Sequence, residues 1–208
     1  MRVMSGLILS GVFFALMNPS ADAAEGTTAR LTPFIMLDIA TEKDNVTPVN
    51  NDYLNKHITV GVKTAGKWEY SLKLGVSDKD AETYKLMSNL IEGKIKKSFE
   101  LRKGIYPYLS ARLGEKTYSG KVKPYSSSFT YYGVDAGSKF SLSSAWGLDI
   151  GFRWRDSSQY SYQSERYHAM LLFDLNESNT FGFRYSQSSS DNLEEDRDSV
   201  RLHWQRNF

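Results

Sequence analysis

The sequence predicts an all-β protein, an antiparallel transmembrane β-barrel of about ten strands with short periplasmic turns and longer extracellular loops. Three observations lead there. Apolar and polar residues alternate with a period of two along ten segments, short turns and longer polar stretches separate those segments in turn, and no run beyond the N-terminus is apolar enough for a membrane helix. A two-residue period is what a strand shows when one face meets an apolar medium and the other meets water. The mean hydropathy of −0.46 is compatible with a spanning barrel, because only alternate residues of each strand face lipid.

The chain opens with Arg2, an apolar stretch from Leu7 to Met17, a break at Asn18-Pro19-Ser20, and Ala21-Asp22-Ala23. A charged start, a short apolar core and an A-x-A end are the marks of a secretory signal peptide, and the stretch is too short to span a bilayer. Residues 1–23 are therefore expected to be a signal peptide, and 24–208 the barrel. The absence of Cys removes disulfides and any thiol for lipid attachment. A net charge of +2 over 208 residues gives no sign of nucleic-acid binding, and the length suits one domain.

The elements follow in order. Strand one sets Leu31, Ile35, Leu37 and Ile39 against Thr32 and Asp38. Strand two sets Leu54, Ile58, Val60 and Val62 against Asn55, His57, Thr59, Gly61 and Lys63. After Ala65-Gly66-Lys67, strand three alternates completely, with Trp68, Tyr70, Leu72, Leu74 and Val76 opposite Glu69, Ser71, Lys73, Gly75 and Ser77. Strand four, from about Asn89 to Leu101, is the weakest, because Gly93 and Lys97 share the face of Ile91, Ile95, Phe99 and Leu101; a bulge near Lys96 would repair it.

Strand five places Ile105, Leu109, Ala111 and Leu113 opposite Tyr106, Tyr108, Ser110 and Arg112, with Pro107 tolerable near its start. Strand six sets Tyr132, Val134, Ala136, Phe140 and Leu142 against Tyr131, Gly133, Asp135, Gly137 and Lys139. Strand seven sets Trp146, Leu148, Ile150, Phe152 and Trp154 against Gly147, Asp149, Gly151, Arg153 and Arg155. Strands eight and nine turn Tyr167, Ala169, Leu171, Phe173 and Leu175, then Phe181, Phe183 and Tyr185, to the same apolar side. Strand ten runs from Val200 to Phe208.

Connections centred on 41–52, 78–87, 117–128, 156–164 and 188–197 are the longer, polar ones, which places them outside and the intervening turns in the periplasm. Trp68, Trp146, Trp204 and Phe208 gather at one end of the apolar faces. Trp154 and Tyr132 gather at the other, with Tyr160, Tyr162 and Tyr167 nearby, as in two interfacial girdles.

If one face meets lipid, the other faces the lumen. Twelve basic residues fall inward: Lys63, Lys73, Lys94, Lys96, Arg112, Lys116, Lys139, Arg153, Arg155, Arg166, Arg184 and Arg201. Seven acids oppose them: Asp38, Glu69, Glu92, Glu100, Asp135, Asp149 and Asp174. The lumen is thus net basic. The expected pore-lining set is Lys73, Lys94, Arg112, Lys139, Arg153, Arg155, Arg184 and Arg201, which suits a narrow channel for small anionic solutes because a confined passage focuses the field of its charges. The competing reading is a barrel sealed by interlocking ion pairs that presents its outer loops, such as Lys123-Pro124-Tyr125-Ser126-Ser127-Ser128, for adhesion or ligand binding.

His57, His168 and His203 are the three histidines, and none has nucleophile or metal-ligand spacing, so no enzyme, metal or cofactor is expected. A lipid-modifying activity stays open, as does one like that of the omptins, ten-stranded proteases with acidic and His residues at the barrel rim, for which Asp38, His57 and His168 are the candidates.

The run Val200-Arg201-Leu202-His203-Trp204-Gln205-Arg206-Asn207-Phe208 resembles the terminal strand of bacterial outer-membrane β-barrel proteins, which finish on an aromatic residue read by their assembly machinery. Arg206 departs from that pattern. The resemblance implies the outer-membrane bilayer and the barrel assembly machinery as partners. The hairpin Ile58-Thr59-Val60-Gly61-Val62 to Gly66-Lys67-Trp68-Glu69-Tyr70-Ser71-Leu72-Lys73 and the strand from Trp146 to Trp154 resemble segments of the oligogalacturonate-specific monomeric porins. That resemblance implies a small barrel with an arginine-lined channel for acidic oligosaccharides, although that family has twelve strands.

Overall fold

The computed structural model describes residues 31–44, 52–80, 85–120, 126–157, 162–190 and 196–208. The expected signal peptide, Tyr160 and Lys123-Pro124-Tyr125 lie outside them. Ten strands follow in order: β1 Leu31–Asp44, β2 Asp52–Thr64, β3 Trp68–Asp80, β4 Lys85–Ser98 and β5 Ile105–Gly120, then β6 Ser126–Ser141, β7 Trp146–Ser157, β8 Tyr162–Asp174, β9 Asn179–Ser190 and β10 Arg197–Asn207.

Each strand pairs antiparallel with its sequence neighbours, and β10 closes the barrel onto β1 from Phe34↔Asn207 to Asp44↔Arg197. Closure leaves no unpaired edge, which a backbone in hydrocarbon requires. Beyond the paired strands, the Phe208 amide donates to the Pro33 carbonyl at 2.9 Å.

The alternation governs which side chains meet which medium. Outward residues Leu109, Leu113, Val134, Leu202 and Phe183 are all more than half exposed, while Ala40, Tyr131, Glu92 and Ser199 on the inner faces are almost fully covered. This is the inverse of a soluble core. Lipid takes the place of the usual apolar interior, and polar groups fill the centre. Outward charges among the described residues stand toward the two rims, Lys97 and Arg206 at the turn end and Lys43, Lys56, Asp78, Glu115, Asp156, Glu165 and Asp198 toward the loop end. A charge at mid-belt would cost about 2–4 kcal/mol, falling toward zero near the interface.

Aromatic rings mark the same two levels. Trp146 packs on Phe173 at 4.9 Å and Trp68 on Tyr70 at 6.4 Å toward the turn end, while Tyr132 meets Trp154 edge-on at 5.8 Å toward the loop end.

Two expectations change. The β3–β4 and β4–β5 registers run without interruption from Trp68↔Lys97 to Asp80↔Lys85 and from Leu86↔Gly120 to Ser98↔Tyr108, so there is no bulge near Lys96. None is needed. Lys97 keeps its place on the lipid face because it sits at the turn-end rim, where its ammonium lies 4.9 Å over the Trp68 ring and donates to the Gly66 carbonyl at 2.5 Å. Its stem covers apolar surface while its head reaches the interface.

The strands also run further than their apolar faces suggested. They continue on polar outward residues to Asp44, Asp80, Gly120, Ser157 and Ser190, and Ser126-Ser127-Ser128 belong to β6 rather than to a loop. The backbone ladder does not need apolar side chains above the membrane.

At the turn end, the Lys67 amide donates to the Thr64 carbonyl at 3.0 Å, and the left-handed residue of that turn is Lys67 itself, with φ 61°. Gly104, at φ 86°, serves the turn before β5.

Candidate functional site

The site is the lumen, and its middle is a layer of buried ion pairs. Arg112 of β5 reaches Glu92 of β4 at 2.5 Å with one guanidinium nitrogen and Asp135 of β6 with the other. Asp135 also receives Arg153 Nε of β7 at 2.7 Å and the Ser110 hydroxyl at 2.6 Å. Glu92 receives Arg155 at 2.7 Å and the Tyr131 hydroxyl at 2.6 Å. Arg112, Glu92 and Asp135 are all under a tenth exposed, so four consecutive strands are joined across their inner faces. A buried carboxylate is tolerable only with such partners.

Across the lumen, Asp38 of β1 bonds His203 of β10 at 2.8 Å, with Arg201 at 3.7 Å. Toward the turn end, Asp149 holds the Tyr108 hydroxyl at 2.9 Å and His168 Nε2 at 3.2 Å. Toward the loop end, Arg166 reaches Glu42 at 3.2 Å.

The layer divides the space inside. A vestibule of about 860 Å³ opens at the turn end, and a chamber of about 80 Å³ lies on the loop side. Lys73, Arg153 and Arg201 border both, so they stand at the partition.

The eight expected pore-lining residues all point inward. Lys73, Lys94, Arg112, Lys139, Arg153, Arg184 and Arg201 border the vestibule, and Arg155 borders the chamber. Their pairing differs sharply. Arg112, Arg153 and Arg155 are committed to carboxylates, and Lys94 bonds Glu69 at 2.8 Å. Lys73, Lys139 and Arg184 have no carboxylate within salt-bridge distance among the described residues, and Lys96 has only the Tyr108 ring, at 4.4 Å.

Among the expected inward acids, Glu100 is corrected: it lies exposed at the turn end, 2.6 Å from Lys67, because β4 ends at Ser98 and the chain has left the wall. Sequence reading missed Glu42 and Arg197, which the longer strands carry into the lumen. Continuing the two-residue period past Asp38 and Arg201 would have found both. Exchanging Glu100 for Glu42 and adding Arg197 leaves thirteen inward cations against seven acids among the described residues, a net basic lining.

Asp38, His57 and His168 do not form a rim site. Asp38 is opposite His57 in the register yet bonds His203, and His168 serves Asp149 on another wall. Of the expected inward acids, Asp149 is held by Tyr108 with His168 and Asp174 by the Thr180 hydroxyl. No cluster of three or more metal-ligating side chains occurs among the described residues.

Comparison with solved structures agrees with the fold. The chain is similar to the translocator domain of the autotransporter NalP from Neisseria meningitidis, at TM-score 0.53 and 12% identity, over 99% of this chain and 95% of that one. It is similar to the NanC porin at TM-score 0.52 and 11% identity, over 82% and 98%. The KdgM porin, solved with disordered oligogalacturonate, matches at TM-score 0.34 and 9% identity, over 83% and 99%, too distant to bear on function. No family model and no curated protein matches. The closed antiparallel wall, apolar outer belt and polar interior are those of an outer-membrane β-barrel protein.

Proposed function

We propose that this barrel is a narrow channel that favours small anionic solutes, which meet its basic vestibule from the periplasmic turn end. The observation that carries the reading is the surplus of Lys73, Lys96, Lys139 and Arg184, inward cations without a carboxylate partner. A lumen built only to be sealed would pair its charges, because an uncompensated charge away from water is costly. A surplus of one sign in a confined space instead concentrates mobile ions of the other. The acidic oligosaccharides implied by the hairpin resemblance suit the vestibule's charge, and the ion-pair layer favours the smaller anions.

A second reading, the sealed barrel presenting its outer ends for binding, is favoured by Arg112 bridging two buried carboxylates at the partition. Single-channel recording of the refolded protein under a salt gradient decides between them. The channel reading expects steady conductance with an anion-selective reversal potential that moves stepwise toward zero in Lys139→Gln, then Lys139→Gln with Arg184→Gln. Absence of steady conductance in the wild type leaves the sealed barrel.

A further inference from the structure

The loop-side chamber has an imbalance of its own. Lys73, Arg153, Arg155, Arg166, Arg197 and Arg201 border it; Arg153, Arg155 and Arg201 meet Asp135, Glu92 and Asp38 outside its lining, and Glu42, engaged by Arg166, is the one carboxylate among the described lining residues. Two buried donors there lack an acceptor: Asn55 Nδ2 and Arg201 Nε, on residues 7% and 6% exposed. His57 Nδ1, beside them, is also without a partner. Buried donors are almost always satisfied, so a concentration of orphans around one cavity indicates a missing acceptor.

We propose that the chamber binds one small tetrahedral oxyanion of the phosphate or sulfate class. A chamber of about 80 Å³ has room for such an anion. Guanidinium groups present planar donor pairs suited to oxyanion edges, and Lys73 adds a point charge from β3 without giving up an ion pair. A chloride ion balances charge but cannot accept from several directions at fixed spacing, so the distributed donors favour a tetrahedral acceptor. The site does not depend on conduction: in a sealed barrel the same anion would be a structural counter-ion.

The test uses the full barrel refolded in micelles with inorganic phosphate, or with chloride at equal ionic strength. Phosphate is expected to raise thermal stability in a saturable way. In the wild type it is expected to shift the backbone amide resonances of Asn55, His57 and Gly75 while leaving those of Gly147 and Gly182 unmoved. Lys73→Met should weaken phosphate binding at least tenfold, and Asn55→Leu, which keeps every charge, about threefold or more. Lys56→Met, outward at the loop rim, should stay within twofold. No difference between phosphate and chloride, or amide shifts centred on the vestibule, overturns the proposal. Equal loss in Lys56→Met and Lys73→Met overturns it as well. Phosphate binding without conductance keeps this site and ends the channel reading.

Discussion

Replacing Arg112 by Met probes the central layer most directly. The guanidinium is held by Glu92 and Asp135 and is almost fully buried, so its removal leaves two carboxylates each short of one cation. A buried pair that loses one member costs about 3–5 kcal/mol. Here Glu92 keeps Arg155 and Tyr131, and Asp135 keeps Arg153 and Ser110, so the lower end applies, about 3 kcal/mol. At about 1.4 kcal/mol per factor of ten, that is a change of more than roughly a hundredfold in the unfolding constant. Urea unfolding of the refolded barrel in micelles, followed by tryptophan fluorescence, reads it. Lys139→Met removes a charge with no carboxylate partner and should stay within about 0.5 kcal/mol. Adding Glu92→Gln to Arg112→Met should recover part of the loss, because residues in one network are non-additive. Equal stability of Arg112→Met and Lys139→Met would refute the ion-pair layer.

The other expectations are briefer. Arg112→Ala should raise any single-channel conductance while lowering stability, since the bridging side chain stands at the partition. Gly137→Ala would place a methyl group 2.5 Å from the Tyr108 hydroxyl and 2.6 Å from the Ile150 carbonyl oxygen, so urea unfolding should show a loss of about 1–3 kcal/mol. Brominated lipids should quench all four tryptophans, and single-Trp variants should place Trp154 in the opposite leaflet from Trp68, Trp146 and Trp204. Deleting Phe208, whose amide bonds Pro33 at the β1–β10 seam, should slow assembly, measured as folded barrel recovered in the outer membrane.

Much of the fold was legible because lipid forces a strict period on every strand. The completely alternating β3 and β7 were readable residue by residue, and the inward cations from Lys63 to Arg201 follow from parity alone, whereas Glu100, past the end of β4, escapes it. The strand ends were not legible, since Ser119, Ser127 and Ser189 extend the ladder by backbone bonds that no side-chain pattern announces. Lys97 looked like a fault in β4 because the distance of a residue from the rim is invisible in a one-dimensional period. Parity says that Arg112 faces inward; that Glu92 and Asp135 flank it depends on the stagger between neighbouring strands, fixed only when the ring closes.

Among the described residues, the partition is made of side chains alone. Many closed lumens owe their closure to an inserted loop or helix, so widening them means moving backbone. Here the divide between vestibule and chamber rests on Glu92, Arg112 and Asp135, three residues on neighbouring strands whose ladder bonds owe nothing to their identity. Exchanging them together for small polar residues removes two acids and one base and keeps the wall, while Arg153 and Arg155, which lose Asp135 and Glu92, would have to be exchanged with them to leave no cation stranded. The bore of this lumen would therefore be set by coordinated point substitution on a constant frame, whereas a single replacement meets the stability loss first.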